Sequence, residues 1–127
     1  TPWKPEDVVK SFTARGPIRP STHLALKGDC FDLVINATSA GHSGQLPRLP
    51  PDLFAKGAYA YDLSYGQAAV PYLEWARQQG VAHCIDGLGM LVEQAAESFL
   101  LWHGVRPETE AVFAQLSARS AALFTAD

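Results

Sequence analysis

The stretch from Val81 to Gly104 limits what this chain can become more than any other. Val81-Ala82-His83-Cys84-Ile85 runs into Asp86-Gly87-Leu88-Gly89, after which apolar residues recur at helical spacing. That order reads as strand, tight turn, helix, and in open α/β sheets the carboxyl ends of strands are where ligands are held. Leu91, Ala95, Phe99 and Trp102 fall on one stripe of the helix, with Val92, Ala96 and Leu100 beside it. The helix is therefore expected to be covered on two sides. Gln94 is the odd residue on that surface. A partly buried amide presents two donors and two acceptor lone pairs that need partners, and both a rim position facing water and a ligand contact supply them.

Upstream, Phe31-Asp32-Leu33-Val34-Ile35-Asn36-Ala37-Thr38-Ser39 holds the clearest strand. Leu33-Val34-Ile35 is a continuous apolar run, the pattern of a parallel sheet with helices over both faces. Asn36, Thr38 and Ser39 then lie at its carboxyl end. A proline-rich loop, Pro47 to Pro51, leads into a predicted short helix around Asp52 to Ala55, closed by Lys56-Gly57, and a second strand over Ala58 to Leu63. Val70 to Arg77 is predicted as a helix opened by Pro71 and stopped at Gly80, followed by a strand over Val81 to Asp86. Nearer the start, Pro5-Glu6-Asp7 resembles a helix opening, with Val8, Val9 and Phe12 as its apolar stripe. Ile18 begins a weak extended segment that Pro20 confines to a sheet edge or a loop. Pro107 to Phe124 reads as a last amphipathic helix, with Val112, Phe113 and Leu116 as inward candidates.

Strand, loop and helix thus recur in the rhythm of right-handed βαβ units. Three good strands and one weak one, with no Gly-x-Gly-x-x-Gly in the chain, make an incomplete nucleotide-binding sheet, because that glycine turn follows a first strand not found here. The expected fold class is α/β: the C-terminal half, three to four strands, of a Rossmann-like parallel sheet flanked by helices and ending in C-terminal helices.

The 127 residues, 47% hydrophobic, suit one domain with a real core. A formal charge of -3 without blocks of like charge gives no basic footprint for nucleic acid. Cys30 and Cys84 lack CxxC or Cys/His spacing, so two free thiols in a reducing compartment are expected, with no metal site, and the cytoplasm is the expected location. No apolar run reaches membrane-spanning length, and Thr1-Pro2-Trp3-Lys4 lacks the regions of a signal peptide. With no initiator Met, the first residue looks cut.

Four ordered motifs, Asn36-Ala37-Thr38-Ser39-Ala40-Gly41, Tyr61-Asp62-Leu63-Ser64-Tyr65, Asp86-Gly87-Leu88-Gly89-Met90-Leu91-Val92-x-Gln94-Ala95-Ala96 and Trp102-x-Gly104-Val105-x-Pro107, resemble the C-terminal part of shikimate dehydrogenase. The resemblance implies NADPH-dependent reduction of 3-dehydroshikimate to shikimate in aromatic amino-acid biosynthesis, by two α/β domains with the active site in the cleft between them. Residues 1–127 would then be the C-terminal part of the NADP-binding domain, including its C-terminal helices. By the same resemblance, Gly87 holds the nicotinamide carboxamide through its backbone, Leu63 replaces a frequent methionine that lines the nicotinamide, and Met90 is counted with them. Asn36, Ala37, Thr38 and Ser39 match the loop under the ribose and phosphates. Thr1 matches the last residue of an Asn-Arg-Thr segment at the adenosine 2′-phosphate, with Lys4 as a second cation. Tyr65 and Gln94 match residues at the substrate. Read without the family, Gly87 also suits a tight turn alone, and Tyr65 suits packing.

The family's catalytic lysine and aspartate lie in an N-terminal domain outside this sequence. Asp62 and Asp86 sit at strand ends where turn or cap roles are commoner, and His42 with Ser39 lacks a third partner for a triad. No residue here is assigned to catalysis, and the chain alone is expected to be inactive. The missing N-terminal domain is the expected partner, and the free edge of the first strand is an opening for self-association. An NAD-using quinate/shikimate dehydrogenase and a non-catalytic nucleotide-binding or interaction module are the alternatives.

Overall fold

The computed structural model describes residues 4–124. Helix α1 (Pro5–Phe12) opens on Pro5, with Glu6 and Asp7 in its first turn and Lys10 in its last, charges that suit the helix dipole. Two 3-10 turns, Thr13–Arg15 and His23–Leu26, carry the chain to strand β1 (Phe31–Asn36). A further 3-10 turn, Ala40–Ser43, precedes strand β2 (Phe54–Asp62). Another, Gly66–Ala69, leads into helix α2 (Val70–Gln78). Strand β3 (His83–Ile85), helix α3 (Leu88–His103) and helix α4 (Glu110–Phe124) complete the order. The sheet is parallel, in the order β1-β2-β3, so the fold is α/β as expected.

Two local expectations give way. No helix forms over Asp52 to Ala55: β2 already begins at Phe54, and Leu53 is buried. Lys56 and Gly57 are therefore strand residues, not a helix stop. The register explains the misreading. Phe31 pairs with Phe54 but Leu33 with Tyr59, so one residue of β1 faces four of β2 between those rungs. Gly57, with φ +79°, lies in that bulge, where a glycine takes the left-handed backbone without strain. The extended segment at Ile18 is a loop, the second of the two places Pro20 left open to it, since Pro17 and Pro20 each remove a ladder donor there. The last strand is limited to His83–Ile85, shorter than Val81 to Asp86.

The core forms on one face of the sheet. Ala60, Ala69, Tyr72, Leu73, Ala76 and Val81 are buried together, with Val34, Leu49, Phe54, Trp75 and Cys84 packed against them. Tyr72 is only 2% exposed, and its hydroxyl donates to the Val34 carbonyl at 2.8 Å, so the phenol satisfies its polar end inside the core. The connection between β1 and β2 packs on this same face. Leu49 packs against the core cluster, and a Cβ at Gly41 would overlap the Ala68 carbonyl. Only a residue without a side chain lets the 3-10 turn after β1 meet the one before α2.

The opposite face differs from expectation. Leu33, Tyr59 and His83 form one cross-strand row, and Ile35, Tyr61 and Ile85 the next. Leu33 and Ile35 are each 52% exposed, Ile85 45% and Tyr59 44%, and Tyr59 stacks on His83. Right-handed crossovers explain this one-sidedness. When β1, β2 and β3 are laid down in spatial order, every crossover falls on the same side. The Leu33-Val34-Ile35 run therefore has a covered residue, Val34, between two bare ones.

The covering of α3 is also narrower than its sequence suggests. Leu88, Val92 and Ala96 are buried, whereas Leu91 and Phe99 are partly open and Trp102 is 78% exposed. Helix α4 contributes a half-buried Leu116, with Val112 and Phe113 more open. Arg106 bridges Glu93 and Glu97, and Thr109 donates to Glu93 at 2.7 Å, which fixes the turn between the two helices.

Candidate functional site

The carboxyl ends of β1, β2 and β3 are bonded into a single rim. The Leu63 amide donates to the Asn36 carbonyl at 3.0 Å, and the Gly87 amide donates to the Ser64 carbonyl at 2.8 Å. The first bond continues the parallel ladder one residue past β2, and the second joins the turns after β2 and β3 beyond the paired residues, so the three turns emerge side by side.

Beneath these backbone bonds lies a buried polar cluster. Asp62 has no exposed surface and Asn36 is 6% exposed; the parallel register sets them opposite each other. The Asn36 amide nitrogen donates to one Asp62 oxygen at 2.8 Å, and the Ser64 backbone amide donates to the other at 2.8 Å. On its far side the Asn36 side-chain oxygen accepts from the Thr38 amide at 3.1 Å and the Thr38 hydroxyl at 2.8 Å. Every buried polar side-chain atom among the described residues has a partner, as a buried cluster requires.

Asp86 performs the corresponding work at the third strand. One of its oxygens accepts from the Leu88 amide at 3.1 Å and caps α3 from just before its start; the other receives the Gly66 amide at 3.4 Å. Both aspartates thus carry the turn and cap roles their strand-end positions suggest. Gly87 is buried in this junction. A Cβ there would overlap the Leu63 carbonyl oxygen and reach its carbon at 2.7 Å, so the glycine is demanded by the approach of the β2 turn to the β3 turn.

The residues singled out from the sequence distribute unevenly. Asn36, Leu63, Tyr65 and Gly87 are gathered on the rim or in the segments bonded to it, with Ala37, Thr38 and Ser39 exposed on the loop after β1. Leu63 and Met90 are 37% and 38% exposed, and Tyr65 is 52% exposed. Gln94 is exposed rather than half-buried. It lies one turn beyond Met90 on the same side of α3, and its amide makes no side-chain hydrogen bond among the described residues. Lys4 is exposed ahead of α1, a helix with no buried residue, and among the described residues no ion pair joins it to the rim. Thr1 lies outside the described residues. The link from Asn36 to Asp62 escapes sequence reading, because the two are separated by 26 positions and meet only through register.

Two groups near the core have raised pKa values. Burial first, then the Asp62 carboxylate, pushes the Tyr72 phenol upward. Burial likewise raises the Cys84 thiol, only partly offset by Arg77. A raised pKa leaves less thiolate at a given pH, and the thiolate is the reactive form. Cys30 is exposed and Cys84 half-buried, both as free thiols. Iodoacetamide is expected to label Cys30 well before Cys84 at neutral pH, with Cys84 gaining speed only at more alkaline pH. Peptide mass spectrometry over a labelling time course checks this, and equal rates would contradict it.

A cavity of about 380 Å3 lies elsewhere, between α3 and α4, lined by Leu91, Val92, Phe99 and Leu116 among others. It is almost wholly apolar and includes none of the strand-end residues.

With this geometry in view, relatives are informative. The sequence model described as "Shikimate 5'-dehydrogenase C-terminal domain" matches residues 87–116, from the rim glycine to α4. A protein of Nitrosospira multiformis named shikimate dehydrogenase (NADP(+)) is 51% identical over 116 residues, 91% of this chain and 42% of that protein. The chain matches the C-terminal portion of shikimate dehydrogenase. The shikimate dehydrogenase (NADP(+)) of Alkalilimnicola ehrlichii is 53% identical over 111 residues, 87% of this chain and 41% of that protein. Among solved structures, an Ael1 enzyme from Pseudomonas putida superposes with a TM-score of 0.69 at 52% identity, covering 76% of this chain and 35% of that one. The shikimate 5-dehydrogenase of Thermus thermophilus, solved in complex with shikimate, gives 0.54 at 30% identity, covering 71% and 33%. The chain spans about two fifths of the length of the shikimate dehydrogenases it matches.

Proposed function

We propose that this chain is the C-terminal part of the NADP-binding domain of an enzyme that reduces 3-dehydroshikimate to shikimate with NADPH, in the cytoplasm, on the route to aromatic amino acids. The observation that carries the reading is the bonded rim, where the turns after all three strands meet in a chain half-identical to named shikimate dehydrogenases. The two free thiols fit a reducing compartment.

The rim's donor set fits a dinucleotide. Ala37, Thr38 and Ser39 offer exposed backbone and hydroxyl groups to ribose and phosphate oxygens, while Leu63 and Met90 provide partly open apolar side chains for a nicotinamide wall. Gly87, locked against Leu63, places its backbone beside that wall. Asn36 spends its amide on Asp62 and Thr38 and so serves the cofactor by shaping the loop. Thr1 and Lys4 are assigned to the 2′-phosphate, and Tyr65 and Gln94 to the polyhydroxy acid, whose hydroxyls suit a phenol and a free amide. When bound, the dinucleotide supplies the hydride. The proton-transfer groups and the remaining substrate ligands belong to the N-terminal domain, which is the partner of this chain.

The test uses the full-length protein, with oxidation of shikimate followed by the near-ultraviolet absorbance of reduced cofactor. Turnover with NADP is expected, and faster than with NAD. A folded full-length protein that turns over shikimate with neither cofactor would remove the proposal.

A further inference from the structure

We infer that Asp62 is a positioning residue that sets the shape of the rim by tying together the turns after β1 and β2. Its carboxylate is fully buried and, among the described residues, meets no cation. A charge so placed is costly unless hydrogen bonds replace its water. Both of its oxygens are used, one on the Asn36 amide and one on the Ser64 backbone. The contact with Asn36 also decides which way that amide faces. With its nitrogen held by Asp62, its oxygen must point to Thr38, where it gathers two donors. The relay continues through Ser64, whose carbonyl takes the Gly87 amide. One carboxylate thereby orders the loop of Thr38 and the turn before Tyr65, and through Ser64 it steadies the Gly87 junction.

This rests on the rim being the cofactor site. In D62N an amide replaces the carboxylate at the same size. It still accepts the Ser64 amide, but its nitrogen then confronts the nitrogen of Asn36. If Asn36 turns over to accept, the Thr38 backbone amide faces a donor instead of an acceptor and its bond to Asn36 is lost. Exchanging the two side chains, D62N with N36D, restores all four bonds: the amide at position 62 donates to the carboxylate at position 36, which accepts from Thr38, and its oxygen keeps Ser64.

The experiment compares full-length wild type, D62N and the D62N/N36D exchange at a temperature where circular dichroism shows each folded. NADPH affinity is read from nicotinamide fluorescence, and backbone hydrogen exchange over 37–39 and 63–65 is read by mass spectrometry. D62N is expected to weaken NADPH binding about tenfold, as a loss near 1.4 kcal/mol would. It should also speed exchange in those two segments while the strand interiors stay protected. The exchange variant should recover to within about threefold of wild type, a non-additive result that simple loss of stability does not give. Wild-type affinity in D62N, or an exchange variant that is no better than D62N or does not fold, overturns the inference. If wild type itself fails to bind NADPH, the functional reading fails, and the two segments' exchange rates still decide whether Asp62 orders them.

Discussion

Gly87→Ala is expected to lower the stability of the full-length protein by about 3 kcal/mol, at the upper end of overpacking costs, and to weaken cofactor binding with it. The added methyl would overlap the Leu63 carbonyl oxygen and lie 3.1 Å from that of Ser64. Both are backbone atoms, one in the peptide whose Ser64 amide donates to Asp62 and one the carbonyl that accepts from Gly87 itself, so neither can rotate away as a side chain would. Relief requires the β2 and β3 turns to separate, and those turns carry the proposed nicotinamide wall. Gly89→Ala is the control. Two positions on in α3, a Cβ would find only the Phe113 ring, at 3.7 Å. Alanine is there favoured over glycine by up to about 1 kcal/mol. Urea midpoints for both variants measure the contrast, and a Gly87→Ala protein as stable as wild type would show that the junction does not confine this residue.

The second large effect concerns the bare sheet face. As an isolated 127-residue piece, the chain is expected to self-associate and to bind hydrophobic dyes, because Leu33, Ile35, Tyr59 and Ile85 form an open apolar surface beside a β1 edge that pairs with no other strand among the described residues. Leu33→Lys with Ile35→Lys should make the piece monomeric, as charged side chains blunt such a surface. In the full-length protein the same pair should be damaging, by at least about 3 kcal/mol. A further segment of the full-length protein laid over this face, as helices cover both faces of a doubly wound sheet, would bury two unpaired charges. Sedimentation of the piece and denaturation of the full-length variant read the two arms. A monomeric, dye-silent piece would show that the bare face does not drive association, and a full-length protein indifferent to both lysines would show that nothing covers this face.

Much of the fold was legible because it rests on local rules. Pro5 and Pro71 open helices, the break at Gly80 ends one, and Asp86-Gly87 turns strand into helix; each acts within a few residues through backbone geometry. The helix expected at Asp52 failed for a different reason. Its residues are held as strand by pairing of Phe54 with Phe31 across the sheet, and such pairing overrides local preference. The bare face was equally hidden, since the apolar run Leu33-Val34-Ile35 looks the same whether its second cover comes from this chain or from another segment.

The sequence by itself determined the order of the three strands and of the helices that follow them, the parallel character of the sheet and the strand-end position of the motif residues, because periodicity and turn chemistry act over short distances. Only the tertiary structure decided that Asn36 and Asp62 are partners, that Gly87 is confined by Leu63 and that Gln94 is open. Those facts arise from the register of neighbouring strands and the side on which crossovers fall, relations between residues far apart in the chain that no local pattern records.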